Sequence, residues 1–252
     1  MNPPKTKSII TRNLLAAAVC SVAAMPAIAQ DAGDWQFRLG LGYIATDTGN
    51  DDLVFEGSKL DTFNIDVDDQ LGVVFDLTYF MSPNWAVELL ASTPFEHDID
   101  GAGALAGLGE IGDTKHLPPT LSLQYHFFPD QTFRPYVGAG LNYTLFFDDS
   151  TNAGLHEGVV ATANGALGTN LSGGNTNLSI DDSFGPALQA GLDIDLSETW
   201  FWNVNVRYIM IDVDATLKTS TFDPAGGETV FTSTLDTEID PFVLSTQLGF
   251  RF

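Results

Sequence analysis

Hydrophobic and polar residues alternate with a period of two in eight separate segments of the chain. In the first segment, Trp35 to Tyr43, every second side chain is apolar, and residues such as Gln36 and Arg38 lie between them. This pattern predicts strands with one apolar face and one face of different chemistry. None of the eight apolar faces contains a charged residue. The segments cover residues 35–43, 71–79, 85–91, 121–127, 137–145, 184–194, 200–210 and 242–252.

Aromatic residues indicate which face of these strands meets lipid. A soluble barrel of the lipocalin kind buries its apolar face, whereas a membrane barrel turns that face outward and carries aromatic girdles at both interfaces. Because successive strands alternate in direction, the two groups of aromatic residues should lie at opposite ends of the barrel. Trp35, Trp85 and Trp200 begin three odd-numbered segments, and Tyr43, Tyr143 and Tyr208 lie toward the other end.

The connections between the segments alternate in length. Short links cover residues 81–84, 128–133 and 197–199, whereas long links occupy approximately 46–69, 96–115, 148–180 and 215–238. Short turns on one rim and long loops on the other are typical of outer-membrane barrels. The fold prediction is therefore all-β: an eight-stranded antiparallel transmembrane β-barrel with short periplasmic turns and four long extracellular loops.

The beginning of the chain has the features of a secretory signal peptide. Lys5, Lys7 and Arg12 precede an apolar stretch, and Ala27-Ile28-Ala29 matches a cleavage site. We therefore predict a cleaved leader at 1–29 and a single barrel domain at 30–252. The only cysteine, Cys20, lies in the leader, so we expect no disulfide or thiolate chemistry in the mature chain.

Net charge excludes one class of partner. Ten Lys and Arg against 33 Asp and Glu give a formal charge of −23 over 252 residues. Proteins that bind nucleic acid neutralise phosphates with basic side chains, so we expect no nucleic-acid partner.

Inward-facing positions of the strands predict a lumen of mixed character. An eight-stranded barrel is just wide enough for side chains to fill or for one small ligand to enter, so these residues either line a narrow path or plug the barrel. Charged lumen residues, among them Arg38, Asp76, Glu88, Asp193 and Arg207, should pair across the interior. The candidate channel-lining residues are Ile44, Val74, Leu90, Tyr136, Phe146, Phe201, Arg207 and Ile209.

Prolines interrupt the wall on both sides of the second long loop. Pro94 lies near the end of the third segment, and Pro118 and Pro119 lie just before the fourth. Each proline removes a donor from the strand ladder, so pairing there should be weak. The interruption is either a bend that ends the strands or a lateral exit for apolar solutes.

Several strings of the sequence are specific in combination: 84–91 with 93–95 and 97, 115–121, 134–144 with 146–147, 182–185, and 240–241 with 249–252. Together they resemble the OmpW/AlkL-type family of outer-membrane proteins. The resemblance implies an eight-stranded barrel in the bacterial outer membrane with a narrow, largely apolar channel associated with uptake of small hydrophobic compounds. The sequence departs from the family pattern mainly in the long loops, so ligand selectivity does not carry over.

The sequence gives little support for a catalytic or metal-binding function. His97 and Asp98 are adjacent, but no nucleophile is spaced convincingly with them, so we expect a solvated surface pair and no enzyme. Asp66, Asp68 and Asp69 lack the Gly and terminal Glu of an EF-hand loop, and a solvated acidic loop is expected instead. We predict no cofactor and no resident metal.

The expected partners follow from this class of protein. They are outer-membrane lipids and lipopolysaccharide, small hydrophobic ligands, and the barrel-assembly machinery, whose signal the strand ending at Phe252 resembles. An alternative function remains open. The protein could be a structural or adhesion barrel with a plugged lumen that acts through its acidic extracellular loops.

Overall fold

The computed structural model describes residues 30–46, 52–55, 58–59, 63–103 and 105–252; the predicted leader, 1–29, lies outside them. These parts of the chain contain sixteen strands and one helix. The strands are β1 (Trp35–Ala45), β2 (Asp52–Phe55), β3 (Ser58–Lys59), β4 (Phe63–Val67), β5 (Gln70–Phe80), β6 (Trp85–Ser92), β7 (Phe95–Gly103), β8 (Glu110–Leu117), β9 (Thr120–His126), β10 (Phe133–Thr151), β11 (Ser172–Ile180), β12 (Ser183–Asp195), β13 (Trp200–Ile209), β14 (Asp212–Phe222), β15 (Glu228–Glu238) and β16 (Phe242–Arg251). The helix is α1 (Ala153–Leu167).

Eight of these strands close into a barrel. Their order is β12-β13-β16-β1-β5-β6-β9-β10, and β10 pairs again with β12. All pairs are antiparallel, and the first and last strands of the chain meet with Gln36 opposite Arg251. The eight strands coincide with the eight segments of alternating residues, so the predicted fold class is confirmed.

The two faces of the wall have the predicted orientation. In β10, Leu141 is 53% exposed whereas Asn142, the next residue, is 1% exposed. An apolar side chain on the outside and an amide on the inside are the arrangement of a membrane barrel, and they exclude the lipocalin alternative. Trp35 packs against Tyr79 with ring centroids 4.9 Å apart, and Trp85 packs against Tyr125 at 5.0 Å, so the predicted girdle at this rim is formed.

The long links are more ordered than the loops that the sequence predicted. Much of them continues the wall as paired strands: β7 pairs with β8 and β4, and β14 pairs with β15 and β11. In β14, Val213 and Thr219 are buried while Asp212 and Lys218 are exposed, so the period of two continues with threonine replacing larger apolar residues. Threonine and valine favour strands, which explains why these links extend the barrel.

One of the links that the sequence predicted as a long loop, 148–180, contains a helix. Asn152 caps the start of α1 by accepting a hydrogen bond from the backbone N–H of Leu155 at 2.9 Å. Gly168 ends the helix with φ of 65°, a conformation that glycine adopts without strain. Leu155, Val160 and Ala163 form its buried side.

Among the described residues, no helix has both the length and the apolar character that crossing a membrane requires.

Candidate functional site

The middle of the barrel is filled by a network of buried polar side chains, which we call the polar core. Arg207 Nη2 lies 2.7 Å from Glu88 Oε1 and 3.7 Å from an oxygen of Asp76. Arg38 forms an ion pair with Glu88 and donates to Thr78 Oγ1 at 2.7 Å. These contacts confirm the predicted pairing of lumen charges. The polar core consists of Arg38, Asp76, Thr78, Glu88, Gln124, Tyr136, Gln189, Asp193, Asn203, Asn205 and Arg207.

Amide and phenol groups complete this network. Tyr136 Oη accepts hydrogen bonds from Arg38 at 2.9 Å and from the side chains of Asn203 and Asn205 at 3.0 Å each. Tyr136 lies opposite Gly191 in the sheet, and a Cβ on Gly191 would lie 2.3 Å from the phenol ring. Glycine at this inward position therefore provides the space that Tyr136 occupies.

The periplasmic end of the lumen is also filled. Arg134 forms an ion pair with Asp195, which Arg251 approaches at 3.2 Å. Phe201 is fully buried against Gly249, its partner in the neighbouring strand, where a Cβ would come within 2.2 Å of the ring. Side chains therefore close the direct path from the polar core to the periplasm.

An apolar cavity lies on the other side of the polar core, toward the extracellular end. Its volume is about 100 Å³, and strands of the wall, the extended links and α1 all contribute to it. Its polar lining is confined mainly to threonines and two histidines, His97 and His116. The aliphatic and aromatic lining includes Ile44, Ile65, Val67, Ile99, Ile111, Phe146, Leu155, Leu178, Ile180, Ile211, Val213, Ala215, Leu217, Leu235 and Ile239.

The predicted channel-lining residues lie at four different places in the lumen. All eight point inward, but only Ile44 and Phe146 line the cavity itself. Val74, Leu90 and Ile209 pack with Ile44 in the apolar layer directly beneath it. Tyr136 and Arg207 belong to the polar core instead, and Phe201 lies at the periplasmic end. Alternation predicts that a residue faces the lumen, but not the depth at which apolar and polar layers separate.

His97 and His116 stack on each other in the wall of the cavity. Their ring centroids are 4.9 Å apart with an angle of 18° between the planes, and His116 also stacks on Phe95. Burial lowers the pKa of both imidazoles, that of His116 to about 3, so both rings are neutral at pH 7. The expectation that His97 and Asp98 form a solvated surface pair is wrong: successive residues of β7 face opposite sides, and His97 is buried while Asp98 is exposed.

The barrel wall has an interruption where the prolines predicted one. Pairing between β6 and β9 ends at Leu90 and Thr120, and pairing between β7 and β8 begins at Phe95 and His116. Between these two pairs, residues 91–94 face 117–119 without a ladder contact among the described residues, and this stretch is the wall gap. Pro94 is exposed, Pro118 is buried and Pro119 is half-buried at its edges.

Phe95 borders the wall gap on the lumen side and was not singled out from the sequence. Its ring is buried in the apolar layer and lies over Gly72 of β5, where a Cβ would come within 2.3 Å. The available signal was an inward glycine beside a large inward aromatic residue, which also marks Gly191 with Tyr136 and Gly249 with Phe201. That signal requires strand neighbours and register, which a single sequence does not supply.

The acidic residues before β5 are exposed, and one of them, Asp69, binds protein groups. Asp69 accepts hydrogen bonds from the Tyr43 hydroxyl and from the backbone N–H of Thr46, and these bonds, chiefly that of Tyr43, lower the pKa of the carboxyl. Across the described ranges there is no group of three His, Cys, Asp or Glu that could hold a metal ion.

Comparison with known proteins agrees with this architecture. The family model described as "OmpW family" matches residues 31–252. Outer membrane protein W of Vibrio cholerae is 37% identical over 238 residues, covering 94% of this chain and 96% of that protein. Outer membrane protein AlkL of Ectopseudomonas oleovorans is 31% identical over 222 residues, covering 87% of this chain and 83% of that protein.

A solved structure extends the likeness to the fold. The crystal structure of the outer membrane protein OprG from Pseudomonas aeruginosa superposes with a TM-score of 0.72 at 32% identity, covering 89% of this chain and 98% of that one. The family model matches nearly all of the described chain, its full-length relatives are named as outer-membrane proteins, and the barrel is closed with an apolar outer face. This protein therefore belongs to the OmpW family and is a β-barrel of the bacterial outer membrane.

Proposed function

We propose that the protein admits small hydrophobic molecules through its extracellular cavity and releases them sideways, through the wall gap, into the outer membrane. The observation that carries this proposal is the position of the apolar cavity above the polar core, with the apolar layer between the two. An apolar molecule in the cavity would lose favourable surroundings if it moved down among buried ion pairs, because those groups would be separated from their partners. The bilayer offers it an apolar destination instead.

The wall gap supports a sideways route. In lipid, an unpaired backbone group is tolerated only where protein covers it or where it opens to a cavity. Here the gap adjoins the apolar layer that contains Leu90 and Phe95, which lies beneath the cavity. A solute that passes Phe95 would therefore reach lipid without meeting the polar core.

Filling the cavity tests its role in uptake. Ala215 is buried and lines the cavity, so Ala215→Trp should occupy much of its volume of about 100 Å³. We expect the initial rate of toluene uptake by cells that carry the variant to fall at least fivefold, toward that of cells without the protein. Ala225→Trp is the matched control, because Ala225 is exposed in the turn between β14 and β15.

Closing the wall gap tests the exit. Continuing the register beyond Leu90 and Thr120 sets Ala91 opposite Pro119, so Ala91→Cys with Pro119→Cys should form a disulfide across the gap. Uptake should slow in the oxidised protein and recover on reduction. Unchanged uptake in a protein shown to be oxidised, together with an ineffective Ala215→Trp, would favour the structural or adhesion barrel, which the filled lumen also suits.

We further propose the events that bring the protein to the membrane. Residues 1–29 serve as the leader, and sequencing of the mature N-terminus should find Gln30 first. The exposed Phe252 directly follows β16 at the rim and serves as the signal for the barrel-assembly machinery. Phe252→Ala should lower the amount of barrel in the outer membrane, whereas Phe128→Ala, at an exposed aromatic residue of the same rim, should not.

A further inference from the structure

His97 is a buried side chain with one ring nitrogen that has no hydrogen-bond partner in the described part of the chain. Its Nδ1 lies 2.7 Å from the backbone carbonyl oxygen of Asp68. A carbonyl oxygen only accepts hydrogen bonds, so Nδ1 must carry the proton. In a neutral imidazole the other nitrogen, Nε2, is then an acceptor with a free lone pair.

Nε2 is the far end of this side chain, and His97 lines the cavity. The atom is buried and accepts no hydrogen bond from any residue that the structure describes. The stacked ring of His116 cannot serve as donor, because with planes only 18° apart an N–H of one ring points past the other. A buried acceptor without a partner carries a desolvation penalty, which a donor on a bound molecule would remove.

We propose, on the basis of the proposed function, that the preferred ligand of the cavity is a small, neutral, apolar molecule with a single hydroxyl group that donates to His97 Nε2. The remaining lining is almost wholly aliphatic and aromatic, so it suits a hydrocarbon body. A volume of about 100 Å³ limits the ligand to one ring at most, since it is smaller than a cavity of roughly 150 Å³ that holds benzene in another protein. A monocyclic phenol combines both features.

The same geometry disfavours acids. A carboxylate would bring negative charge into an apolar cavity and toward a lone pair, without a cation among the described lining residues. His97 therefore acts as a specificity residue that distinguishes a hydroxyl from a methyl group or a carboxylate on the same ring.

The test compares 3-fluorophenol with 3-fluorotoluene, which differ only in hydroxyl against methyl. Both are titrated by ¹⁹F NMR into the full barrel in lipid nanodiscs, with empty nanodiscs subtracted. In His97→Phe, which keeps an aromatic ring beside His116, the affinity for the phenol relative to the toluene should fall about tenfold, the loss of one good hydrogen bond. His156→Phe is the matched control, because both ring nitrogens of His156 already have protein partners, Thr176 Oγ1 and the Gly173 carbonyl.

A second measurement needs no variant at the site. In ¹⁵N-histidine-labelled wild-type protein, the resonance of the unprotonated His97 nitrogen should shift when 3-fluorophenol is added and should stay in place with 3-fluorotoluene. An unchanged affinity ratio in His97→Phe, or an unmoved resonance under saturating phenol, would overturn the inference while leaving the proposed function intact. If neither probe binds in a manner that Ala215→Trp prevents, the proposed function and this inference fail together.

Discussion

Arg207 of β13 and Glu88 of β6 meet across the barrel lumen, with Nη2 and Oε1 2.7 Å apart. Glu88 also pairs with Arg38, so one carboxylate contacts two guanidinium groups that are almost wholly buried, and Asp76 and Asp193 add negative charge beside them. Two facing walls are thereby joined through the interior, in addition to the backbone pairing around the barrel. Because an apolar solute could pass only by separating these buried groups from their partners, the network closes the lumen to apolar solutes.

Glu88→Gln should destabilise the barrel strongly. The amide keeps the shape of the side chain but removes the carboxylate that contacts both Arg38 and Arg207, and breaking a buried ion pair by removing one partner costs about 3 to 5 kcal/mol. The free energy of unfolding in urea, measured for the protein refolded in detergent, should fall by that amount. Glu198→Gln, in an exposed periplasmic turn, should leave it unchanged.

The lipid face can be tested by adding a charge to it. Leu141 is exposed on the outer face of β10, so Leu141→Arg should cost roughly 2 to 4 kcal/mol if the residue lies near the bilayer midplane. Leu167→Arg is the comparison, because Leu167 is similarly exposed but lies at the end of α1, outside the barrel. Equal stability of the two variants in lipid vesicles would mean that the outer face of β10 does not contact lipid.

Phe95 should control passage through the wall gap. Phe95→Ala removes the ring that borders the gap, and we expect toluene uptake to rise at least twofold despite a loss of about 3 to 5 kcal/mol in stability. Phe95→Trp enlarges the ring and should slow uptake. If both variants reach the membrane in normal amounts and take up toluene at the wild-type rate, passage does not occur beside Phe95.

Acid should weaken the extracellular part of the barrel through His116. Its pKa is about 3 in the folded protein, below the ordinary value of 6.5, so the folded state binds fewer protons than the unfolded state in this interval. The free energy of unfolding is therefore not reduced by His116 above pH 6.5. It decreases as the pH falls toward 3, with a slope of up to about 1.4 kcal/mol per pH unit. His97 faces His116 and has a pKa lowered in the same direction.

The measurement is the unfolding free energy between pH 7 and pH 4. His116→Phe preserves a ring that can stack on Phe95 and removes the titrating group, so the dependence on pH should become shallower. A slope identical to that of the wild-type protein would show that His116 is not the group responsible.

Much of the barrel could be predicted from the sequence, because the bilayer imposes a simple rule. Each strand must present apolar side chains to lipid and can vary only on the other face, so a period of two identifies both the strand and its orientation. The strand from Trp35 and the strand to Phe252 follow this rule, and they pair as the first and last strands of a closed barrel. The pairing of Arg38 with Glu88 was also predictable in kind, since isolated charges in a narrow lumen are costly.

The extracellular part could not be predicted in the same way, because lipid imposes no rule there. Threonines carry the alternation in β14, and α1 forms within a stretch rich in glycine and asparagine. The burial of His97 could be predicted neither from the composition of its segment nor from its neighbour Asp98. Adjacent side chains point to opposite faces only in a strand, and the sequence predicted a loop at this position.

Alternation in the sequence determined which side chains face the barrel lumen, and the tertiary structure alone decided at which depth each one lies. Ile44 and Arg207 are both inward residues, yet one lines an apolar cavity and the other belongs to the polar core. The difference arises from register: strand pairing brings Gly72 beneath Phe95 and Gly191 beneath Tyr136, and groups distant in sequence then share one layer. Depth in a barrel depends on the stagger of neighbouring strands, which is set by contacts between segments and not by the pattern within any one of them.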